Sequence, residues 1–265
     1  MPRKVNVIIL RAAGTNCDYE TEYAFKFVGA KTDLVHINQL TRKEKALRNY
    51  QILVIPGGFT YGDDIASGKV LANELRCKLE DELLEFIDAG KLILGICNGF
   101  QVLVKARLLP ALNGYGKLQE ATLTFNDSGK FEDRWVYLKP VKESNCVFIK
   151  GLEENIYLPV AHGEGKFICR DENILKELSE NGQIVFQYVD KDGNCAGYPW
   201  NPNGSGDNIA AICDPGGRIM GIMPHPERYV HPANHPRWTR EGLKPAGDGV
   251  RIFENAVQYA AENLA

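Results

Sequence analysis

Leu92-Ile93-Leu94-Gly95-Ile96-Cys97-Asn98-Gly99-Phe100-Gln101 is an apolar run of strand length that enters a cysteine with glycine two residues to either side. The residues from Gly99 to Arg107 then read as a helix. This is the layout of a nucleophile elbow. The backbone there folds so sharply that a Cβ at either flanking position would collide, which Gly95 and Gly99 avoid. Cys97 would stand at the positive end of the following helix, where a thiolate is favoured. Most lone cysteines outside disulfides are ordinary core residues, so the motif needs a partner before it signifies chemistry.

That partner comes from Arg218-Ile219-Met220-Gly221-Ile222-Met223, a predicted strand ending in Pro224-His225-Pro226-Glu227-Arg228. Prolines on both sides of His225 forbid a helix and predict extended backbone, with His225 and Glu227, two apart, on the same side. A carboxylate beside an imidazole fixes its tautomer and stabilises its charged form. Cys97, His225 and Glu227 are therefore the candidate catalytic triad.

The first half of the chain alternates short apolar runs with helical periodicity, the pattern of a parallel sheet covered on both faces. Strands are expected at Val5–Leu10, Asp33–Ile37, Ile52–Ile55 and Leu92–Ile96. Helices are expected at Asp18–Val28, Thr41–Arg48 and Val70–Ala89, the last carrying Leu71, Leu75, Leu79, Leu83 and Ile87 on one stripe. The fold class is thus α/β, a flavodoxin-like doubly wound mixed sheet. From Ala121 to Val189 short β-like runs (Thr122–Phe125, Trp135–Leu138, Ile156–Val160, Lys166–Cys169, Ile184–Tyr188) predict added antiparallel strands. Asp214-Pro215-Gly216-Gly217 predicts a hairpin turn between Ile209–Cys213 and Ile219–Met223 that delivers His225. Val250–Glu262 reads as a closing amphipathic helix. Residues 1–265 are expected to form one domain, with inserted loops near 191–207 and 229–249 that are longer than structural connections require.

Composition narrows the function classes. Seven cysteines with no C-x-x-C pair argue against a disulfide framework and a zinc ribbon, and point to a reducing cytoplasm. The formal net charge of −3 and pI near 6.0 leave no electrostatic footprint for nucleic acid. Met1-Pro2-Arg3-Lys4 before Val5–Leu10 has the order of a signal peptide, but Asn6 and Arg11 make its apolar part too short. No stretch approaches the ~18 apolar residues of a membrane span. His231 and His235 lie four apart, yet Pro232 and Pro236 rule out the helix that would pair them on a metal, so no metal site is expected. Several Gly-Lys pairs occur, at 68, 116, 129 and 165 among others, and none is followed by serine or threonine, so there is no Walker A loop. Pro56-Gly57-Gly58-Phe59 follows a strand at the carboxyl end of the sheet, where the Gly58 N–H, with that of Asn98, could form an oxyanion hole. His162-Gly163-Glu164-Gly165 is either a second catalytic pair or a loop that shapes the pocket.

Gly95-Ile96-Cys97-Asn98-Gly99-Phe100-Gln101 and His225-Pro226-Glu227-Arg228 resemble the paired motifs of class I glutamine amidotransferases, whose triad is Cys–His–Glu. Gly14-Thr15-Asn16-Cys17-Asp18, Pro56 to Asp63, Asn126-Asp127-Ser128 with Phe131-Glu132, Ala161 to Gly165 and Tyr198 to Ser205 narrow the resemblance. Together they are similar to the glutaminase subunits of phosphoribosylformylglycinamidine synthases, over almost the full length. The 229–249 region resembles the tail of single-chain forms more than compact members.

The resemblance implies that Cys97 forms a thioester with glutamine, His225 acts as acid and base, and Glu227 orients it. It also implies glutamine contacts from Phe59, Gln101, Asn126 and Ser128. Ammonia would pass to a synthetase subunit of de novo purine synthesis, with a small accessory subunit. No cofactor is expected in this chain; ATP and Mg²⁺ would be bound by the synthetase. A stand-alone cysteine hydrolase or peptidase on a similar fold, or a non-catalytic docking module, remains the alternative.

Overall fold

The computed structural model describes residues 4–264; Met1 to Arg3, the start of the signal-like stretch, lie outside the described residues. In chain order the elements are β1 (Asn6–Arg11), α1 (Asp18–Phe27), β2 (Lys31–His36), α2 (Ile37–Thr41), β3 (Ile52–Ile55), α3 (Lys69–Lys78), α4 (Glu80–Asp88), β4 (Leu92–Ile96) and α5 (Asn98–Lys105). They continue with β5 (Ala121–Thr124), β6 (Glu132–Pro140), β7 (Ile156–His162), β8 (Lys166–Cys169), α6 (Glu172–Glu180), β9 (Ile184–Val189), β10 (Ile209–Cys213), β11 (Ile219–Ile222), α7 (Trp238–Glu241) and α8 (Val250–Asn263). The main sheet has nine strands in the order β2-β1-β3-β4-β11-β10-β9-β6-β7. From β2 to β11 it is parallel, and β10, β9, β6 and β7 continue it antiparallel.

Strands β3 and β4 are buried at every position, because helices cover both of their faces. That continuous burial is what their Ile/Leu/Val runs encode. The sheet order β1-β3-β4-β11, all parallel, puts the carboxyl ends of β3, β4 and β11 side by side. The loop after β3, the elbow after β4 and the histidine after β11 therefore converge.

Four expectations are corrected. The helix predicted at Thr41–Arg48 is instead the short α2, stopped by Lys43 at φ 59°, followed by a 3-10 turn at Leu47–Asn49. The charged stretch from Arg42 to Lys45 has no apolar face to hold a helix against the core. The helix at Val70–Ala89 breaks at Leu79, whose φ of −135° separates α3 from α4. Residues four apart advance about 40° around a helix at each step, so the Leu71-to-Ile87 stripe would drift by about 160° if straight. The break re-aims the second half, and all five side chains are buried. The run at Thr122–Phe125 and Lys166–Cys169 do not join the main sheet; as β5 and β8 they pair with each other as a separate antiparallel ribbon. Finally, His225 does not lead into extended chain, since Pro226–Arg228 form a 3-10 turn.

Candidate active site

Cys97 sits between β4 and α5 with φ 51° and ψ −104°, a conformation that non-glycine residues adopt rarely and at a cost of order 1–3 kcal/mol. Strand β4 is held on both sides, by β3 and β11, and Cys97 N donates to Ile222 O at 2.7 Å. The surrounding sheet is what sustains the strain. A Cβ on Gly99 would overlap the Ile55 carbonyl, and one on Gly95 would press within 2.7 Å of the Gly99 carbonyl, which is the steric reason both flanks are glycine.

His225 and Glu227 meet through the 3-10 turn. Its curvature, not strand alternation, brings the Glu227 Oε1 to 2.6 Å from His225 Nδ1, with both side chains buried. Burial alone would push the His225 pKa down. The Glu227 carboxylate, then the Cys97 and Cys17 sulfurs, outweigh it and hold the imidazole well above its ordinary value. His225 Nε2 is buried and has no partner among the described residues, which leaves it free for a proton in transit. The distant end of the sheet folds back over the site: His225 N donates to Pro159 O of β7 at 2.8 Å, and Cys97 Sγ to Ala161 O at 3.6 Å.

The candidate oxyanion donors flank this arrangement. Gly58 has φ 148°, and a Cβ there would come within 2.8 Å of the Gly14 carbonyl, so only glycine fits. The neighbouring Phe59 N–H is taken by Gly14 O at 2.9 Å and the Thr60 N–H by the Asn98 side chain. The Gly58 N–H has no acceptor among the described residues. Asn98 opens α5, so its N–H is one of the unpaired donors of a helix start.

The four residues expected to touch glutamine are placed differently from one another. Phe59 is 45% exposed, its ring 6.3 Å from that of Phe131, at the rim. Ser128 lines a groove of about 500 Å³ with Asp127, Tyr198 and Asn201, and donates to Glu132 Oε1 at 2.6 Å. Gln101 spends its side chain inside the protein, donating to Glu164 O at 2.6 Å and accepting from Asn98 at 2.9 Å. Asn126 likewise donates to His162 O and Lys130 O and accepts from Gly165 N. Its groups hold the wall.

Three further side chains lie beside the candidate triad: Cys17, Arg228 and His162, the last being one the sequence offered as a catalytic or pocket-shaping residue. Cys17, at the start of α1, lies with its sulfur within 4.8 Å of donor atoms of both His225 and Glu227. The ligand atoms of Cys17, His225 and Glu227 lie close enough to hold a metal, but the Arg228 guanidinium donates to the same sulfur at 3.2 Å, a like-charged neighbour for any cation. His162 is the third. It ends β7, Nδ1 lies 3.1 Å from Asn126 Oδ1, and burial followed by the nearby charge of His225 pushes its pKa down to about 3. The signal for Cys17 was the Gly14–Asp18 stretch at the carboxyl end of β1, facing the same edge of the sheet as Cys97.

The depressed His162 has a consequence for stability. Above pH about 6.5 the ring is neutral folded or unfolded; below it the unfolded chain takes up a proton that the folded one refuses until about pH 3. Stability is therefore lost on acidification through this window, by up to about 1.4 kcal/mol per pH unit from this group. His225, raised, acts on the opposite limb: its contribution is full below pH about 6.5 and lost as pH rises through its folded value. Urea midpoints between pH 7 and 4 are expected to fall less steeply in His162→Gln than in the parent. Parallel slopes would show that His162 is not the group responsible.

Residues 4–260 match the CobB/CobQ-like glutamine amidotransferase domain family. Subunit PurQ of phosphoribosylformylglycinamidine synthase from Dehalococcoides mccartyi is 52% identical over 260 residues, covering 98% of this chain and 99% of the relative. The chain belongs to the PurQ family of glutamine amidotransferases. The PurQ subunit from Methanococcus maripaludis is 48% identical, covering 96% of both chains. A chain of the solved PurLQS structure from Thermotoga maritima superposes with a TM-score of 0.74 at 30% identity, covering 97% of this chain and 99% of that one. A glutamine amidotransferase from the same organism, at 16% identity and a TM-score of 0.52, shares the fold. Among the described residues no helix is long and apolar enough to cross a membrane.

Proposed function

We propose that this chain is the glutaminase subunit of phosphoribosylformylglycinamidine synthase, with Cys97, His225 and Glu227 as its catalytic triad. One observation carries the reading: a cysteine held at positive φ on an elbow shares its buried site with an imidazole paired at 2.6 Å to a carboxylate. In the first step the Cys97 sulfur attacks the side-chain carbonyl carbon of glutamine and the carbonyl electrons move to oxygen, held by the Gly58 and Asn98 N–H groups. The carbon–nitrogen bond then breaks as His225 gives its proton to the departing ammonia, leaving a thioester. Water, deprotonated by His225, adds to that carbon, and the sulfur leaves with glutamate released. Glu227 keeps the imidazole oriented throughout. Phe59 and Ser128 would flank the substrate, while Gln101 and Asn126 shape its walls.

The ammonia is released from a chain that carries no Walker A phosphate loop. Its consumer would be a synthetase subunit that binds ATP and Mg²⁺, assembled with a small accessory subunit. The expected result is a low kcat/KM for glutamine in the isolated chain and a rise of at least about tenfold in the reconstituted complex with nucleotide, through ordering of the loops around the site. The measurement is glutamate release on both. Full activity without a partner, and no binding of the synthetase, would favour a stand-alone hydrolase instead.

A further inference from the structure

Strands β3 and β4 pair in register only as far as Ile55 and Gly95. Beyond that rung, among the described residues, no backbone hydrogen bond joins the 56–60 loop to the start of α5. Yet these two segments carry the two oxyanion donors, Gly58 N–H and Asn98 N–H, whose separation must match one oxygen atom. The Asn98 side chain bridges the gap. Its Oδ1 accepts from Thr60 N at 3.3 Å and Thr60 Oγ1 at 2.6 Å, and its Nδ2 donates to Asp63 Oδ1 at 3.2 Å and Gln101 Oε1 at 2.9 Å. Both lone-pair directions and both protons of the amide are used, and the residue is 1% exposed. Gln101 extends the link by donating to Glu164 O, in the loop that follows β7.

We propose that the Asn98 side chain, anchored on Thr60 and Asp63, is a positioning residue that sets the spacing of the oxyanion hole. This rests on the reading that Cys97 hydrolyses glutamine through an oxyanion intermediate. Asparagine suits the role because the bridge needs an acceptor toward Thr60 and a donor toward Asp63 and Gln101. Aspartate would face the Asp63 carboxylate and the Gln101 carbonyl with no proton to give.

The test uses the full-length chain assembled with its synthetase, with two readouts on each variant. Glutamine turnover needs the oxyanion hole. Alkylation of Cys97 by iodoacetamide does not, since a sulfur–carbon bond forms as the carbon–iodine bond breaks and iodide leaves, with no carbonyl oxygen charged. Asn98→Ala and Asn98→Asp are expected to lower kcat about 10- to 100-fold, less than the full loss of a donor. The KM for glutamine and the alkylation rate are expected to stay within about threefold, because neither depends on oxyanion stabilisation. Thr60→Val is expected to lower kcat about tenfold, and Thr60→Ser, which keeps the hydroxyl, to recover most of that loss. An Asn98→Ala chain that keeps its kcat, or loses alkylation in step with kcat, overturns the proposal. Should the Asn98 variants not fold, the Thr60 pair decides: no loss in valine, or no recovery in serine, overturns it equally. A parent whose glutamine turnover survives Cys97→Ala refutes the underlying reading instead.

Discussion

Cys97→Ala is expected to abolish glutamine hydrolysis, by at least about 1,000-fold in kcat, while the protein stays folded. In the proposed mechanism the sulfur is the atom that bonds to substrate carbon, and no other thiol among the described residues is placed on the elbow. Cys17 is close to His225 but buried, and engaged by Arg228 and Asn16. Alanine keeps a Cβ at φ 51°, so the variant neither relieves nor adds backbone strain; it loses the 3.6 Å contact to Ala161 O and the support the sulfur gives to the charged His225 ring. A glutamine-like electrophile should accordingly map by mass spectrometry to Cys97. Labelling mainly at exposed Cys77 or Cys195, or glutaminase activity retained in the purified alanine variant, would end the assignment.

The second large effect separates the other two members of the triad. His225→Ala removes both proton transfers and is expected to cost about 10⁴-fold, toward the upper end for general acid–base catalysis. Glu227→Gln is expected to cost less, because the amide oxygen still accepts from Nδ1 but no longer stabilises the imidazolium. Loss of the imidazole strands the Glu227 carboxylate, buried and without its 2.6 Å partner, a change that costs about 3–5 kcal/mol when a buried pair is broken on one side. Rates are therefore to be normalised to the folded fraction, read from urea titrations of each variant. Equal normalised rates in the two variants would show that Glu227 does more than orient and stabilise the ring.

The elbow was readable because its cause is contiguous. Fourteen residues, 92–105, contain the strand, the turn and the helix, and the collisions that demand glycine at 95 and 99 are made within that unit and against β3 beside it. The parallel half of the sheet was readable for the same reason, since strands covered on both faces leave uninterrupted apolar runs. The His225–Glu227 pair was found by its spacing, although the backbone route differs. Prolines do exclude an α-helix there, but a 3-10 turn begins readily with Pro226 and brings the carboxylate round.

What the sequence by itself determined is thus the α/β class, the cysteine elbow and the neighbouring His225–Glu227 pair, each written within a few neighbouring residues by local sterics and periodicity. Only the tertiary structure decided which walls enclose them. Cys17 reaches His225 across more than two hundred residues, β7 brings Pro159 and Ala161 over the site from the far edge of the sheet, and Asn98 bridges to Thr60 where the β3–β4 ladder has ended. These contacts depend on strand order, which sets the carboxyl ends of β1, β3, β4 and β11 side by side. All are outcomes of packing the whole core at once, and no single stretch of residues encodes them.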